Sequence, residues 1–213
     1  MSKPRVLLAD DHRILAEGLR GLLEPEFEVV GVVADGRELV AAARELRPDV
    51  VVADITMPSL NGIEAAVQLR HLGIEARVVF LTMHRDVAYA RRAMEAGAAG
   101  FVLKHSAASE IVTAVREALR GQTYVTPMIA GELLQSYRQG DGWPHDPAQR
   151  LTARQREVLQ LFAEGRSAKE VAAVLTISIR TAEAHKAHIL ESLGLRTTAE
   201  LVQYAIRNGI ISV

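Results

Sequence analysis

The 213-residue chain has no cysteine, few aromatic residues and a net charge of only −1. Without cysteine it can form neither a disulfide framework nor a thiolate metal site. No apolar run reaches the length of a membrane span, and the first residues are charged too early for a signal peptide. Hydrophobic residues make up 49% of the chain, which excludes intrinsic disorder. We therefore expect a soluble cytoplasmic protein of one or two domains.

The small net charge is unevenly divided along the chain. Residues 1–120 contain fifteen Lys and Arg against seventeen Asp and Glu, whereas residues 151–213 contain eight against six. A difference of this size is within ordinary variation. It gives only a weak indication that the C-terminal part has a polyanionic partner.

Short apolar runs alternate with amphipathic stretches through residue 120, and this alternation predicts five buried strands and five helices. Five βα units in about 120 residues indicate an α/β fold with a five-stranded, parallel, doubly wound sheet of the flavodoxin-like type. The predicted strands are Arg5–Ala9, Glu28–Ala34, Val50–Ala53, Arg77–Leu81 and Gly100–Leu103. The predicted helices are Arg13–Leu23, Arg37–Leu46, Ile63–His71, Val87–Ala96 and Ala108–Leu119.

The pattern changes after residue 120. A short strand at Tyr124–Thr126 and a helix at Met128–Tyr137 precede a run of turn-forming residues, so residues 121–150 are predicted to be a linker with a short helix. Residues 151–213 show only short helices and predict a small all-α four-helix domain. Hydroxyl residues at N-cap positions mark the helix starts, three of them with capping-box spacing. These starts are Thr152 with Gln155, Ser167 with Glu170, Thr197 with Glu200, and Ser178 alone.

Charged and hydroxyl side chains follow the predicted strands at their carboxyl ends, where open parallel sheets bind ligands. Asp10 and Asp11 follow the first strand, Asp54 the third, Thr82 the fourth and Lys104 the fifth. Clustered carboxylates repel one another unless a cation lies among them. Because oxygen ligands favour a hard ion, the sequence predicts a Mg²⁺ site at this edge.

The segments at this edge resemble those of response-regulator receiver domains. Each motif is weak alone, but their order and separations match along residues 4–120. The resemblance therefore implies a receiver domain at residues 1–120. The matching segments are Val6-Leu-Leu-Ala-Asp-Asp11, Val51-Val-Ala-Asp54-Ile-Thr-Met-Pro58, Asn61-Gly62, Leu81-Thr82 and Phe101-Val-Leu-Lys104.

The resemblance implies that Asp54 accepts a phosphoryl group from a partner histidine kinase. A carboxylate is a competent nucleophile, and phosphoryl transfer mainly requires positioning and charge neutralisation. The family's pattern implies Mg²⁺ bound by Asp11, Asp54 and the backbone carbonyl of Thr56, with Asp10 acting mostly through water. It also implies that Lys104 pairs with a phosphoryl oxygen.

Thr82 and Phe101 resemble the switch pair of the same family. This implies that the Thr82 hydroxyl moves to the phosphoryl oxygen and that the Phe101 ring turns inward. Two residues depart from the family's usual pattern, since Met83 is bulky and His105 stands where many receivers have proline. Met83 is a candidate for restricting access to the site.

The C-terminal helices resemble the LuxR-type helix-turn-helix through Leu151-Thr-Ala-Arg-Gln-Arg-Glu, Ser167-Ala-Lys-Glu-Val-Ala173 and Ser178-Ile-Arg-Thr-Ala-Glu-Ala-His-Lys. Preceded by a receiver, this is the arrangement of NarL/FixJ response regulators, and the resemblance covers nearly the whole chain. The family implies a LuxR-type DNA-binding domain at residues 151–213. Ala182 stands where Val is usual, and Ala184 where Asn or Val is common.

Helical periodicity divides the predicted recognition helix into two faces. Ala182, Ile189 and Leu193 are expected to face the core, and the opposite face is expected to enter the major groove. On that face, Glu183 could accept a hydrogen bond from a cytosine amino group, and Ala184 or Ala187 could contact a thymine methyl group. The side chains expected to contact mainly phosphate are Lys169, Arg180, Lys186 and His188. The predicted DNA-contact residues are Lys169, Arg180, Thr181, Glu183, Ala184, Lys186, Ala187 and His188.

These features predict a DNA-binding transcriptional regulator, not an enzyme, in which phosphorylation promotes homodimerisation, release of the recognition helix, or both. The alternative is a regulator of the same architecture that works without phosphorylation. The presence of all three aspartates, Asp10, Asp11 and Asp54, argues against it. An aspartyl-phosphate hydrolase of the haloacid-dehalogenase type needs an acid where this chain has Thr56. A dinucleotide-binding oxidoreductase is disfavoured because no Gly-x-Gly-x-x-Gly follows the first strand.

Overall fold

A computed structural model of the chain describes residues 2–138 and 151–211, which form two compact units. The first unit contains residues 2–57 and 61–138, and the second is built on residues 151–211. Residues 139–150 of the predicted linker lie outside the described residues. Among the helices of the described residues, none is long and apolar enough to cross a membrane.

The first unit is built on a parallel sheet with the strand order β2-β1-β3-β4-β5-β6. The order reverses between β1 and β3, so the prediction of a doubly wound sheet is confirmed. The strands are β1 (Arg5–Ala9), β2 (Glu28–Val33), β3 (Val50–Asp54), β4 (Arg77–Thr82), β5 (Gly100–Leu103) and β6 (Tyr124–Val125).

The sheet has six strands rather than the predicted five. The short strand expected after residue 120 is present, and it pairs with β5 as part of the same sheet. Its two residues, Tyr124 and Val125, lie opposite Gly100 and Phe101. The side chain of Thr126 extends this attachment, since its hydroxyl donates to Glu110 Oε2 at 2.6 Å and accepts from the Leu103 N–H at 3.2 Å.

Among the described residues of this unit, six α-helices and a short 3₁₀ helix (Lys104–Ser106) accompany the sheet, and all five helices predicted before residue 120 are present. Helices α1 and α5 pack against the same side of the strands, whose buried residues read as nearly continuous apolar runs. Right-handed crossovers place α2, α3 and α4 on the opposite face. The helices are α1 (Arg13–Leu23), α2 (Gly36–Leu46), α3 (Gly62–His71), α4 (Val87–Glu95), α5 (Ala107–Leu119) and α6 (Pro127–Arg138).

The second unit consists of four helices around their own apolar core, as predicted. The core includes Phe162 and Val171, together with Ala182, Ile189 and Leu201, all of which are nearly or completely buried. The helices are α7 (Ala153–Ala163), α8 (Ala168–Leu175), α9 (Ile179–Leu193) and α10 (Thr198–Arg207).

Polar N-caps start all four helices of this unit. The capping boxes predicted at the starts of α7 and α8 are confirmed in both directions. The box predicted for α10 is only half formed. The Thr197 hydroxyl accepts from the Glu200 N–H at 3.1 Å, but Glu200 Oε2 accepts at 2.7 Å from the N–H of Arg196 instead of Thr197. The carboxylate therefore satisfies the donor one residue further out.

Candidate functional site

The carboxyl ends of β1, β3 and β5 bring three charged side chains into contact. Lys104 Nζ lies 2.8 Å from Asp10 Oδ2 and 2.8 Å from Asp54 Oδ2. The three side chains are buried, with side-chain exposures of 2% for Asp10, 5% for Asp54 and 4% for Lys104. Because β1 and β3 flank the point where the strand order reverses, this cluster lies where doubly wound sheets bind ligands.

Two carboxylates share this one ammonium group, and the imbalance shapes the electrostatics of the site. Burial raises the pKa of Asp54 to about 6, against the opposing attraction of Lys104. Burial alone would lower the pKa of Lys104, but the Asp54 and Asp10 carboxylates outweigh it and raise the pKa. Lys104 is therefore held as a cation, and the cluster retains an excess of negative charge.

Asp11 and His12 extend the cluster toward solvent. Ligand atoms of Asp10, Asp11, His12 and Asp54 all lie within 4.8 Å of one another. The ring nitrogen Nδ1 of His12 is 2.8 Å from Asp11 Oδ1, and the backbone N–H of His12 donates to Asp10 Oδ1 at 2.8 Å. His12 is not among the predicted site residues, although its position directly after the two aspartates indicates that it lies beside them.

The donor set of this cluster fits a hard divalent cation. It consists of three carboxylates and one imidazole, and its buried negative charge exceeds the single ammonium beside it. A cation among these oxygens would relieve the repulsion between Asp10 and Asp54.

The backbone beside Asp54 is held by the β3–α3 loop. The Thr56 N–H donates to Asp54 Oδ1 at 3.3 Å, and the Gly62 N–H donates to the Ile55 carbonyl at 2.9 Å. A Cβ atom on Gly62 would lie only 2.1 Å from the Asp54 carbonyl oxygen, so only glycine fits there. Asn61 caps α3 by accepting from the Glu64 N–H, which accounts for the Asn-Gly pair in the sequence.

The two predicted switch residues, Thr82 and Phe101, are both completely buried. The Thr82 hydroxyl, at the end of β4, accepts from the N–H of His84 at 3.0 Å. Phe101 lies on β5, next to the edge strand β6, and pairs with Phe80 of β4 on one side and Val125 of β6 on the other. Met83, directly after Thr82, is 67% exposed.

In the second unit, α9 presents the predicted recognition face to solvent. Its start is fixed by Ser178, whose hydroxyl accepts from the Thr181 N–H at 3.0 Å. Ala182 and Ile189 are completely buried, in agreement with the predicted core face. The exposed members of the predicted DNA-contact set are Lys169 on α8 and Arg180, Thr181, Glu183, Ala184, Ala187 and His188 on α9.

Lys186 differs from the rest of the predicted DNA-contact set. It is half-buried, and its Nζ lies 4.7 Å from the centroid of the Phe162 ring on α7. This is the distance of a cation–π contact. Its ammonium group is therefore directed at the helical core and not at the exposed face of α9.

Both units match known protein families. Residues 6–116 match the family model of the response regulator receiver domain, and residues 149–205 match that of bacterial regulatory proteins of the luxR family. The chain is similar to the transcriptional regulatory protein MctR of Rhizobium johnstonii, with 39% identity over 212 residues that cover 99% of this chain and 96% of MctR.

Two solved structures extend the comparison. A LuxR-family two-component response regulator from Aurantimonas sp. SI85-9A1 is 41% identical and covers 64% of this chain and 99% of its own, with a TM-score of 0.61. The response regulator RcsB, in a complex with DNA, is 26% identical and covers 95% of this chain and 98% of its own, with a TM-score of 0.58.

Proposed function

Because the chain belongs to the NarL/FixJ family of two-component response regulators, in which a receiver domain precedes a LuxR-type DNA-binding domain, we propose that phosphorylation of Asp54 by a histidine kinase switches its activity as a transcriptional regulator. The observation that carries this proposal is the buried contact of Lys104 with both Asp10 and Asp54. This contact places a nucleophile, the Asp54 carboxylate, beside a fixed cation, the Lys104 ammonium, at the same edge of the sheet.

In the proposed reaction, a carboxylate oxygen of Asp54 attacks the phosphorus of a phosphohistidine on the kinase. A new P–O bond forms while the P–N bond breaks, and the kinase imidazole leaves. Asp54 must be ionised to attack. Its pKa of about 6 keeps it mostly ionised at neutral pH while leaving it a stronger base than an exposed aspartate.

Lys104 and a metal ion divide the neutralisation of charge in this proposal. Lys104 already contacts Asp54 Oδ2, so a small movement brings its ammonium to a phosphoryl oxygen. We assign Mg²⁺ to Asp11, Asp54 and the Thr56 carbonyl, with Asp10 acting mostly through water; the excess negative charge of the cluster supports this assignment. When bound, Mg²⁺ would neutralise the negative charge of the phosphoryl oxygens.

Thr82 and Phe101 carry the switch in this proposal. The Thr82 hydroxyl, which now accepts from His84, is drawn to the new phosphoryl oxygen, and Phe101 adjusts with it. Phosphorylation thereby biases a receiver with two conformations. The outcome is homodimerisation, release of the recognition helix, or both.

The active form is proposed to bind double-stranded DNA in the cytoplasm as a homodimer, as a regulator and not as an enzyme. The exposed face of α9 enters the major groove, where Glu183, Ala184 and Ala187 contact bases. The residues proposed to contact the DNA phosphates or to lie beside them are Lys169, Arg180, Thr181 and His188. The exposure of these side chains supports the assignment.

The test compares the wild-type protein with Asp54→Ala, each with and without acetyl phosphate and Mg²⁺. DNA affinity and molecular size are measured for both. We expect the phosphodonor to raise the affinity or size of the wild type only. Glu75→Ala, an exposed carboxylate substitution outside the cluster, serves as the control and should behave as the wild type. An identical response of the wild type and Asp54→Ala would favour the phosphorylation-independent alternative.

A further inference from the structure

Within the described residues, Lys186 is the one member of the predicted DNA-contact set whose side chain lies against the helical core. Its Nζ lies over the ring of Phe162, 4.7 Å from the centroid. Arg180 and His188, on the same helix, are exposed. The three side chains therefore belong to two environments, although all were expected to contact phosphate.

The ring beneath Lys186 is itself fixed. Phe162 is 2% exposed and belongs to the apolar core of the second unit. Lys186 lies one helical turn after Ala182, on the side of α9 where Ala182 and Ile189 are completely buried.

We propose that Lys186 serves DNA recognition as a positioning residue, and that it does so by fixing the rotation of α9 against α7 through Phe162. This inference rests on the proposed role of α9 in the major groove. Ala182 and Ile189 are completely buried, and Leu190 and Leu193 pack against the same core; the Lys186–Phe162 contact adds a further point on the side toward α7. A fixed rotation determines which way Glu183 is presented to the bases.

A phosphate contact by Lys186 and its contact with Phe162 predict different salt dependence. Each phosphate neutralised by a protein cation makes log K fall with log salt by a further slope of about 0.9, because counterions are released. An ammonium that stays on the Phe162 ring adds nothing to this slope. It changes instead the ratio of affinities for specific and non-specific DNA, because only specific binding depends on the orientation of Glu183.

The experiment measures DNA binding of the full chain in the presence of acetyl phosphate and Mg²⁺, between 50 and 200 mM salt, on the duplex recovered by selection from random DNA and on a random duplex. Lys186→Met removes the charge and keeps the alkyl chain. Lys186→Arg keeps a cation over the ring, and Phe162→Leu removes the ring. Arg180→Met is the matched control, because Arg180 is an exposed cation on the same helix.

We expect Lys186→Met to leave the salt slope unchanged and to lower the specificity ratio about three- to fivefold, the equivalent of an exposed cation–π contact. Phe162→Leu should lower the ratio similarly, the double variant should lose little more, and Lys186→Arg should restore it. Arg180→Met should reduce the slope by about 0.9 and weaken both duplexes alike.

A measurement without DNA supports or contradicts the contact separately. In the free wild-type protein, the side-chain protons next to the Lys186 ammonium should show an upfield ring-current shift in NMR spectra, and Phe162→Leu should abolish it. A reduced salt slope with an unchanged specificity ratio in Lys186→Met would overturn the positioning role. Failure of the wild type to bind either duplex would contradict the proposed function as well. Thermal unfolding of each variant checks that it is folded.

Discussion

The acidic edge of the sheet and the exposed face of α9 hold their charges in opposite ways. At the sheet edge, Asp10, Asp54 and Lys104 are buried and joined by two contacts of 2.8 Å. On α9, Arg180 and Glu183 are exposed, and within residues 2–138 and 151–211 no ion pair is found for either. Substitution at the sheet edge should therefore alter stability and chemistry together, whereas substitution of the exposed charged side chains of α9 should alter DNA affinity or specificity alone.

The largest expected effect is that of Lys104→Met. This change leaves Asp10 and Asp54 buried without a counter-charge, so it should destabilise the first unit by about 3 kcal/mol at pH 7.5 and prevent the response to a phosphodonor. Denaturant unfolding and amide exchange of β1, β3 and β5 measure the loss. Lys169→Met, at an exposed lysine of α8, is the control and should change stability by less than about 0.5 kcal/mol. Equal effects of the two substitutions would contradict the comparison.

The second effect has the opposite sign. Asp54→Asn should stabilise the protein by about 2–3 kcal/mol at pH 7.5 without divalent cations, because the folded state raises the pKa of Asp54 from 3.8 to about 6. A raised carboxyl pKa means that the folded state binds the proton more tightly, so the wild type loses stability as pH rises from about 4 to about 6.

Asp54→Asn has no carboxyl group to titrate at this position. Its advantage in stability over the wild type should therefore grow across that pH range and then level off. Unfolding measured at a series of pH values checks the shape of the curve. Added Mg²⁺ should narrow the gap by stabilising the wild type. A wild type more stable than Asp54→Asn at pH 7.5 in the absence of metal would contradict the account of the buried charge.

The third effect concerns the start of α9. Ser178→Ala removes the oxygen that accepts from the Thr181 N–H, and it should destabilise the second unit by about 1 kcal/mol. Ser178→Thr should keep most of the stability, since it retains the hydroxyl. Thermal unfolding of the three proteins measures the order. If alanine and threonine cost the same, the cap does not contribute as the geometry indicates.

The smallest expected effect on stability is that of Glu183→Ala. Its side chain is exposed, so unfolding should change by less than about 0.5 kcal/mol. Discrimination at one base pair of the selected site should weaken by about 1 kcal/mol, because a base-edge contact is lost. Binding to single-base variants of the site measures this. A uniform loss across all variants would instead indicate a phosphate contact.

Much of the first unit could be predicted because its chemistry depends on strand ends. Buried parallel strands read as apolar runs, and the residues that end them lie at one edge of the sheet. The contacts among Asp10, Asp54 and Lys104 could therefore be predicted from the sequence. β6 was recognised as a short strand but not as part of the sheet, because two residues carry no signal of which neighbour they pair with.

Side-chain direction limited the predictions for the second unit. Periodicity identifies the buried face of α9 and places Lys186 at its flank, but it does not determine where a long side chain ends. Lys186 is predicted to contact DNA phosphate, but its ammonium lies over Phe162 instead. Glu200 is a similar case, since its spacing fits a capping box while its carboxylate bonds the N–H of Arg196. In both cases several partners lie within reach, and tertiary packing selects one.

Asp54 is the proposed phosphoryl acceptor of this protein. The most direct test is intact-mass and peptide analysis of the wild type and Asp54→Asn after incubation with acetyl phosphate and Mg²⁺. We predict a single added phosphoryl group in the wild type, located on the peptide that contains Asp54, and none in the variant. Equal phosphorylation of both proteins, or a phosphoryl group on another residue of the wild type, would contradict the claim.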